Sequence, residues 1–164
     1  MTSALFPGSF DPITNGHLAV LRDAARIFDK VYLVVMTNTY KKYLFTSTQR
    51  AAFAREAVRD LANVVVLVKS EMLTTKLAQS LQVSTILRGV RNTADFLYEQ
   101  QIAGINKRLA PEIATVLLFT DPANSVIASS MIKEIASFGG DVSSLVPTSA
   151  AKALRHQLGE HDDD

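Results

Sequence analysis

The sequence predicts an α/β fold, one domain on an open parallel sheet of about five strands with helices packed against it. Two observations carry this. Five short runs, Ala4–Phe6, Val31–Met36, Val64–Val68, Ser84–Leu87 and Ala114–Phe119, are rich in branched and aromatic residues. They show little apolar/polar alternation, the pattern of parallel strands covered on both faces. Longer helical patterns separate them, and strand-helix-strand order implies right-handed crossovers within one sheet.

Each helix has a local reason. Leu18, Leu21, Ala25 and Phe28 recur at helical spacing after the first strand. Thr46 with Gln49 three residues on forms a capping box that opens a helix to about Leu61. Asn92 with Asp95 starts a helix to about Leu109, and Ser129 or Ser130 starts another that Gly139-Gly140 stops. Leu117, Leu118 and Phe119 are expected in the core. His156 lies in a terminal helix and His161 in the tail, both without a role. The domain spans residues 1–158, and the acidic tail 159–164 is expected to be disordered and solvated.

Composition narrows the function. At 164 residues and 48% hydrophobic, the chain suits a single core. A net charge of +1 gives no global field for nucleic acid or an anionic membrane, so any anion site is local. With no cysteine there is no disulfide framework, thiolate nucleophile or Cys-bound zinc. No export signal and no run of about 18 apolar residues is seen, so a cytoplasmic protein is expected.

The densest signal is the junction FPGSFDPITNGH, Phe6–His17, where the first strand gives way to a helix. Its glycines let backbone approach a phosphate, and the helix start offers free N–H groups and partial positive charge. In a parallel sheet, ligands sit beyond the carboxyl ends of the strands where strand order reverses. His17 then stands in the first helical turn as a directed donor. Gly8 and Gly16 are eight residues apart, unlike the dinucleotide fingerprint, and no Gly-Lys-Ser/Thr makes a P-loop.

Pro7-Gly8-Ser9-Phe10-Asp11-Pro12 followed by Thr14-Asn15-Gly16-His17 resembles the T/H-x-G-H signature of the nucleotidyltransferase superfamily. Lys41-Lys42, Phe45-Thr46, Arg88-Gly89-Val90-Arg91, Ala94-Asp95-Phe96, Tyr98-Glu99, Ser129-Ser130, Lys133-Glu134 and Gly140-Asp141-Val142 extend the likeness to the bacterial phosphopantetheine adenylyltransferases. The resemblance implies a Rossmann-like domain and adenylyl transfer from ATP to 4′-phosphopantetheine, without a covalent enzyme intermediate. It implies catalytic roles for His17, Lys41 and Arg91. Ser9, Phe10, His17, Gly89, Val90, Arg91, Glu99 and the run Asn124, Ser125, Val126, Ile127, Ala128, Ser129 and Ser130 would contact ATP. Ser9, Lys41, Leu73, Thr74 and Arg88 would contact the acceptor.

The chemistry is consistent with these residues, because the attacking phosphate is already anionic and needs no protein nucleophile. The resemblance further implies Mg²⁺ carried by ATP rather than a protein metal cage, feedback by coenzyme A, and a homohexamer built as a dimer of trimers. Each residue also has a plainer reading. Lys41 and Lys42 can be a solvated pair, Arg88 and Arg91 can pair with Asp95 and Glu99, and the serines can simply cap a helix. Asn124 replaces a usual aromatic and Ala128 the first of three usual serines, which should alter ATP affinity without removing charge. A related transferase with another phosphorylated acceptor, and a nucleotide-binding regulator without turnover, are the alternatives.

Overall fold

The computed structural model describes residues 1–124 and 127–159. Five strands form one parallel sheet: β1 (Ser3–Gly8), β2 (Lys30–Thr37), β3 (Val64–Ser70), β4 (Thr85–Val90) and β5 (Ala114–Phe119). Their order is β3-β2-β1-β4-β5, so the chain first builds outward on one side of β1 and then crosses to the other. The reversal lies between β1 and β4, where open α/β sheets place their ligand crevice.

Alternate residues of each strand feed different faces, as the pleat requires. Ala4 and Phe6 of β1 join Val31, Leu33 and Val35 of β2 in the larger core. Helices α1 (Asn15–Ile27), α2 (Ser47–Ala57), α5 (Ser129–Ser137) and α6 (Thr148–Leu158) pack onto it, and loop residues such as Phe10, Ile13 and Phe45 complete it. Leu5 and Val34 point the other way, into a smaller core with Leu77 and Ala78 of α3 (Thr74–Ser80) and with Ala110 after α4 (Thr93–Leu109).

Three expectations need correction. The strands were expected to be covered on both faces, but the edge strands β3 and β5 contain no buried residue, because each has a neighbour on one side only. Phe119, expected in the core, ends β5 at 75% exposure. Helix α2 stops at Ala57, not near Leu61. Turns from Val58 to Leu61 and from Leu61 to Val64 bring the chain back to β3 and carry Asn63 under α1, where its amide donates to Ala25 and Phe28 carbonyls. The short helix α3 has no capping side chain and was not anticipated. A short 3₁₀ turn, Pro122–Asn124, follows β5.

The cap signals hold. Thr46 and Gln49 make their reciprocal box, and Asn92 Oδ1 accepts from Asp95 N at 2.9 Å. Helix α5 ends in a Schellman arrangement: Gly139 adopts φ 76°, and Gly139 and Gly140 N–H donate to Ala136 and Ile135 carbonyls. Gly159 is the C-cap of α6, and residues 160–164, the rest of the expected tail, lie outside the described residues.

Candidate active site

A cleft of about 490 Å³ opens at the carboxyl ends of β1 and β4. Its floor is the junction after β1. Gly8 is required there because a Cβ would fall 2.8 Å from the Phe10 ring. Phe10 itself takes φ 47°, an uncommon conformation for a residue with a side chain. Its ring packs edge-on against Phe6 at 5.5 Å and against His17 at 5.0 Å, so the strained loop residue props the imidazole.

Helix α1 explains why a histidine stands where it does. Thr14 is the N-cap, and its Oγ1 accepts from His17 N at 3.2 Å. His17 occupies the third helical position, where Glu or Gln usually completes a capping box, and its Nδ1 accepts from Thr14 N at 3.0 Å. A backbone N–H can only donate, so the ring proton sits on Nε2. Burial, then the charges of Arg91 and Arg88, push the His17 pKa down to about 4. His17 is therefore a neutral ring with one oriented donor, on a side chain that lines the cleft.

Cations converge from separate elements. Arg88, in β4, donates through Nε to Glu99 Oε2 at 2.9 Å, through Nη2 to Glu99 Oε1 at 2.8 Å, and through Nη1 to Pro7 O at 2.8 Å. Of the guanidinium's five N–H groups this engages three and leaves two. Arg91 donates through Nε and Nη2 to Asp95, leaving three, and this pairing is the main reason the Asp95 carboxyl lies below its usual range. Lys41 and Lys42 come from the loop after β2, and Lys133 comes from α5, where it meets Asp11 Oδ2 at 2.9 Å.

Helix α5 begins without a capping side chain: Ala128 is the N-cap, and Ser129 and Ser130 are its first two helical residues. The serines were expected to be able to cap; instead Ser129 Oγ donates to Pro12 O at 3.0 Å, tying α5 to the first loop. The uncapped first turn, with Ala128 and both serines, lines the cleft. Ala128 thus leaves the backbone donors of the helix start in place.

Of the residues singled out from sequence, Ser9, Phe10, His17, Lys41, Arg88, Gly89, Arg91, Glu99, Ile127, Ala128, Ser129 and Ser130 share this cleft. Glu99 reaches it with both carboxylate oxygens engaged by Arg88. Val90 is buried, with its carbonyl accepting from Thr120 N. Leu73 is exposed and Thr74 half-buried, and neither lines the cleft; Asn124 stands behind it, its carbonyl 3.5 Å from where a Gly16 Cβ would lie. Ser125 and Val126 lie outside the described residues.

Residues the sequence reading left without a role also belong here. Lys133 follows Ser129 by four positions, a helical neighbour that spacing alone could have indicated. Asp11 accepts from Leu44 N at 2.9 Å and Phe45 N at 3.0 Å, bonds no local pattern reveals.

Among the described residues no group of three His, Cys, Asp or Glu is placed to hold a metal ion. The cleft carboxylates Asp11, Asp95 and Glu99 are each engaged by a cation. This donor set does not fit a resident divalent ion.

A parallel sheet with its switch-point cleft lined by cations and one neutral imidazole donor is suited to holding the phosphates of a nucleotide. Residues 5–135 match the cytidylyltransferase-like family model. The chain is 64% identical over 158 residues to a phosphopantetheine adenylyltransferase of Lactobacillus acidophilus, covering 96% of this chain and 98% of that one. It is 46% identical over 162 residues to the protein of that name from Levilactobacillus brevis, covering 98% and 100%. A solved structure from Vibrio parahaemolyticus, provisionally assigned as a nicotinate-nucleotide adenylyltransferase, superposes with TM-score 0.72 at 18% identity, covering 99% and 98%, and shows the shared fold. The chain belongs to the phosphopantetheine adenylyltransferases, within the cytidylyltransferase-like family.

Proposed function

We propose that the chain transfers the adenylyl group of ATP to the phosphate of 4′-phosphopantetheine, giving dephospho-coenzyme A and pyrophosphate. The observation that carries this reading is His17: Nδ1 is occupied, Nε2 keeps its proton, and cations surround the ring. Such a ring donates a hydrogen bond and is not set up as a base. The acceptor phosphate is already anionic, so the site has to supply alignment and charge stabilisation.

An acceptor phosphate oxygen attacks the α-phosphorus in line, and the bond to the bridging oxygen breaks, its electron pair leaving with pyrophosphate. His17 donates to an α-phosphate oxygen as charge accumulates there. Lys41 neutralises the incoming phosphate, and Ser9 contacts both reactants. Gly89 and Arg91 hold the nucleotide, and Arg88 offers its two remaining N–H groups to the acceptor. Ser129, Ser130 and the free N–H groups opening α5 receive the β- and γ-phosphates.

Mg²⁺ enters as part of Mg·ATP, on phosphate oxygens and water. Assembly into a homohexamer is supported by α4, which buries only Glu99 while Leu97, Tyr98, Ile105 and Leu109 stay more than half exposed. A helix whose apolar side chains are left open suits burial against further copies. Light scattering is expected to give six chains; a monomer would refute the assembly. Coenzyme A, which contains the acceptor arm, is expected to compete for the same cleft. No helix among the described residues is long and apolar enough to cross a membrane.

Pyrophosphate release from Mg·ATP with a panel of acceptors tests the reaction. Turnover is expected with 4′-phosphopantetheine and not with nicotinamide mononucleotide or simple phosphorylated alcohols. ATP binding without release for any acceptor would instead indicate a regulator.

A further inference from the structure

Arg50, in α2, is a fully buried cation, 1% exposed, and it forms no ion pair within salt-bridge distance among the described residues. Burying a charge is costly unless it is well hydrogen-bonded. Its partners are main-chain carbonyls and one hydroxyl. Nη1 donates to Ser9 O at 2.6 Å and Met36 O at 2.9 Å, Nη2 to Thr37 Oγ1 at 2.9 Å, and Nε to Phe45 O at 3.2 Å. Three segments meet on this one planar fork: the floor of the cleft, the end of β2, and the start of α2.

The choice of segments is informative. Between Thr37 and Phe45 runs the loop that carries Lys41, so Arg50 holds both stems of that loop and fastens them to Ser9. The loop rests on the same group: the Tyr43 ring lies 4.1 Å from Arg50 Cζ, and Tyr43 Oη accepts from Asn38 N at 2.8 Å. Asn38 in turn receives Tyr40 N on Oδ1 at 2.9 Å and Lys41 N on its carbonyl at 3.0 Å. Lys41 is thereby indexed, through bonds and one ring face, to the floor that carries His17. A packing role alone would be met by an apolar side chain of similar volume.

We infer that Arg50 is a positioning residue for adenylyl transfer, setting the lysine loop against the phosphate floor so that Lys41 meets the acceptor phosphate. The inference rests on the reaction proposed above and concerns its acceptor side. No hydrogen bond or ion pair among the described residues joins Arg50 to the nucleotide-side groups of β4 and α5. Loss of the fork therefore acts on acceptor use and turnover more than on ATP binding.

Arg50→Lys keeps the charge and removes the fork. With thermal unfolding and circular dichroism confirming the fold, kcat/KM for 4′-phosphopantetheine is expected to fall at least about tenfold, as misplaced reacting groups do. The ATP Kd, measured by calorimetry, should stay within about threefold. In a double-mutant cycle with Lys41→Ala, the second substitution should add little, because both act through one ammonium. Thr37→Val, which removes a single acceptor, should show a smaller shift of the same kind and decides the matter if Arg50→Lys does not fold. Unchanged kcat/KM in a folded variant, equal losses in ATP and acceptor binding, or full additivity with Lys41→Ala would overturn the assignment. A parent protein with no turnover on 4′-phosphopantetheine would overturn the proposed reaction itself.

Discussion

Replacing His17 by Gln is expected to lower kcat by about 10²- to 10³-fold, the range seen when one preorganised donor to a developing oxyanion is removed. Glutamine is the informative choice because it is a natural third-position partner in a capping box. Its amide oxygen can accept from Thr14 N as Nδ1 now does, so α1 keeps its first turn, while the rigidly aimed Nε2–H of the ring is replaced by an amide NH₂ on a flexible side chain. His17→Ala should lose the same turnover and also about 1 kcal/mol of stability, since half of the box goes with it. Equal kcat in parent and Ala variant would remove His17 from the mechanism.

The same pair of proteins separates a pH effect. In the unfolded chain the imidazole takes its proton near 6.5, whereas folded His17 resists it until about 4. Between these values the unfolded state binds more protons, so stability rises with pH through that window and falls on acidification. Loss of up to about 3 kcal/mol between pH 7 and pH 4 is expected from this group. His17→Gln should flatten denaturant midpoints over that range; an unaltered pH profile would show that the ring is not held neutral.

The second large effect concerns Arg88 and Glu99, whose side chains are 29% and 7% exposed. Removing one partner of a buried pair leaves a charge uncompensated, so Arg88→Met should cost about 3–5 kcal/mol. Arg88→Met/Glu99→Met should recover much of that stability, because no buried charge is left. Activity should not recover, since the two N–H groups left for a ligand are gone. Urea unfolding and pyrophosphate release, measured on the same four proteins of the cycle, separate the terms. Recovery of turnover in the double variant would make the pair purely structural.

These expectations were unequally legible beforehand. The five strands, three cap or stop signals and the turn-rich loop after β1 follow from chemistry within a few residues. Period, side-chain caps and glycine act locally, and Thr46-Gln49 makes its bonds whatever packs above it. Arg88 and Glu99 were visible as candidates, yet local spacing did not assign Arg88 to Glu99 and Arg91 to Asp95. Arg50 was invisible: an arginine in an amphipathic helix is ordinarily solvated, and nothing nearby signals acceptors at Ser9 and Met36. The exposure of Phe119 is hidden from the sequence for a related reason, since β5 has the composition of an inner strand and only its place at the sheet edge leaves it half covered.

By itself the sequence determined the class of fold, the turn-rich junction that floors the cleft, and a net charge of only +1, which leaves no global field. Those properties depend on residue type and near-neighbour spacing, which covalent connection enforces. Only the tertiary structure decided which groups meet: the His17 ring against Phe10 and in the field of Arg91 and Arg88, Asp11 against Lys133, and Arg50 under the lysine loop. Hydrogen bonds need contact at about 3 Å and charge pairs weaken over about 10 Å, and distances on that scale between residues far apart in the chain are set by the packing of the sheet and its helices.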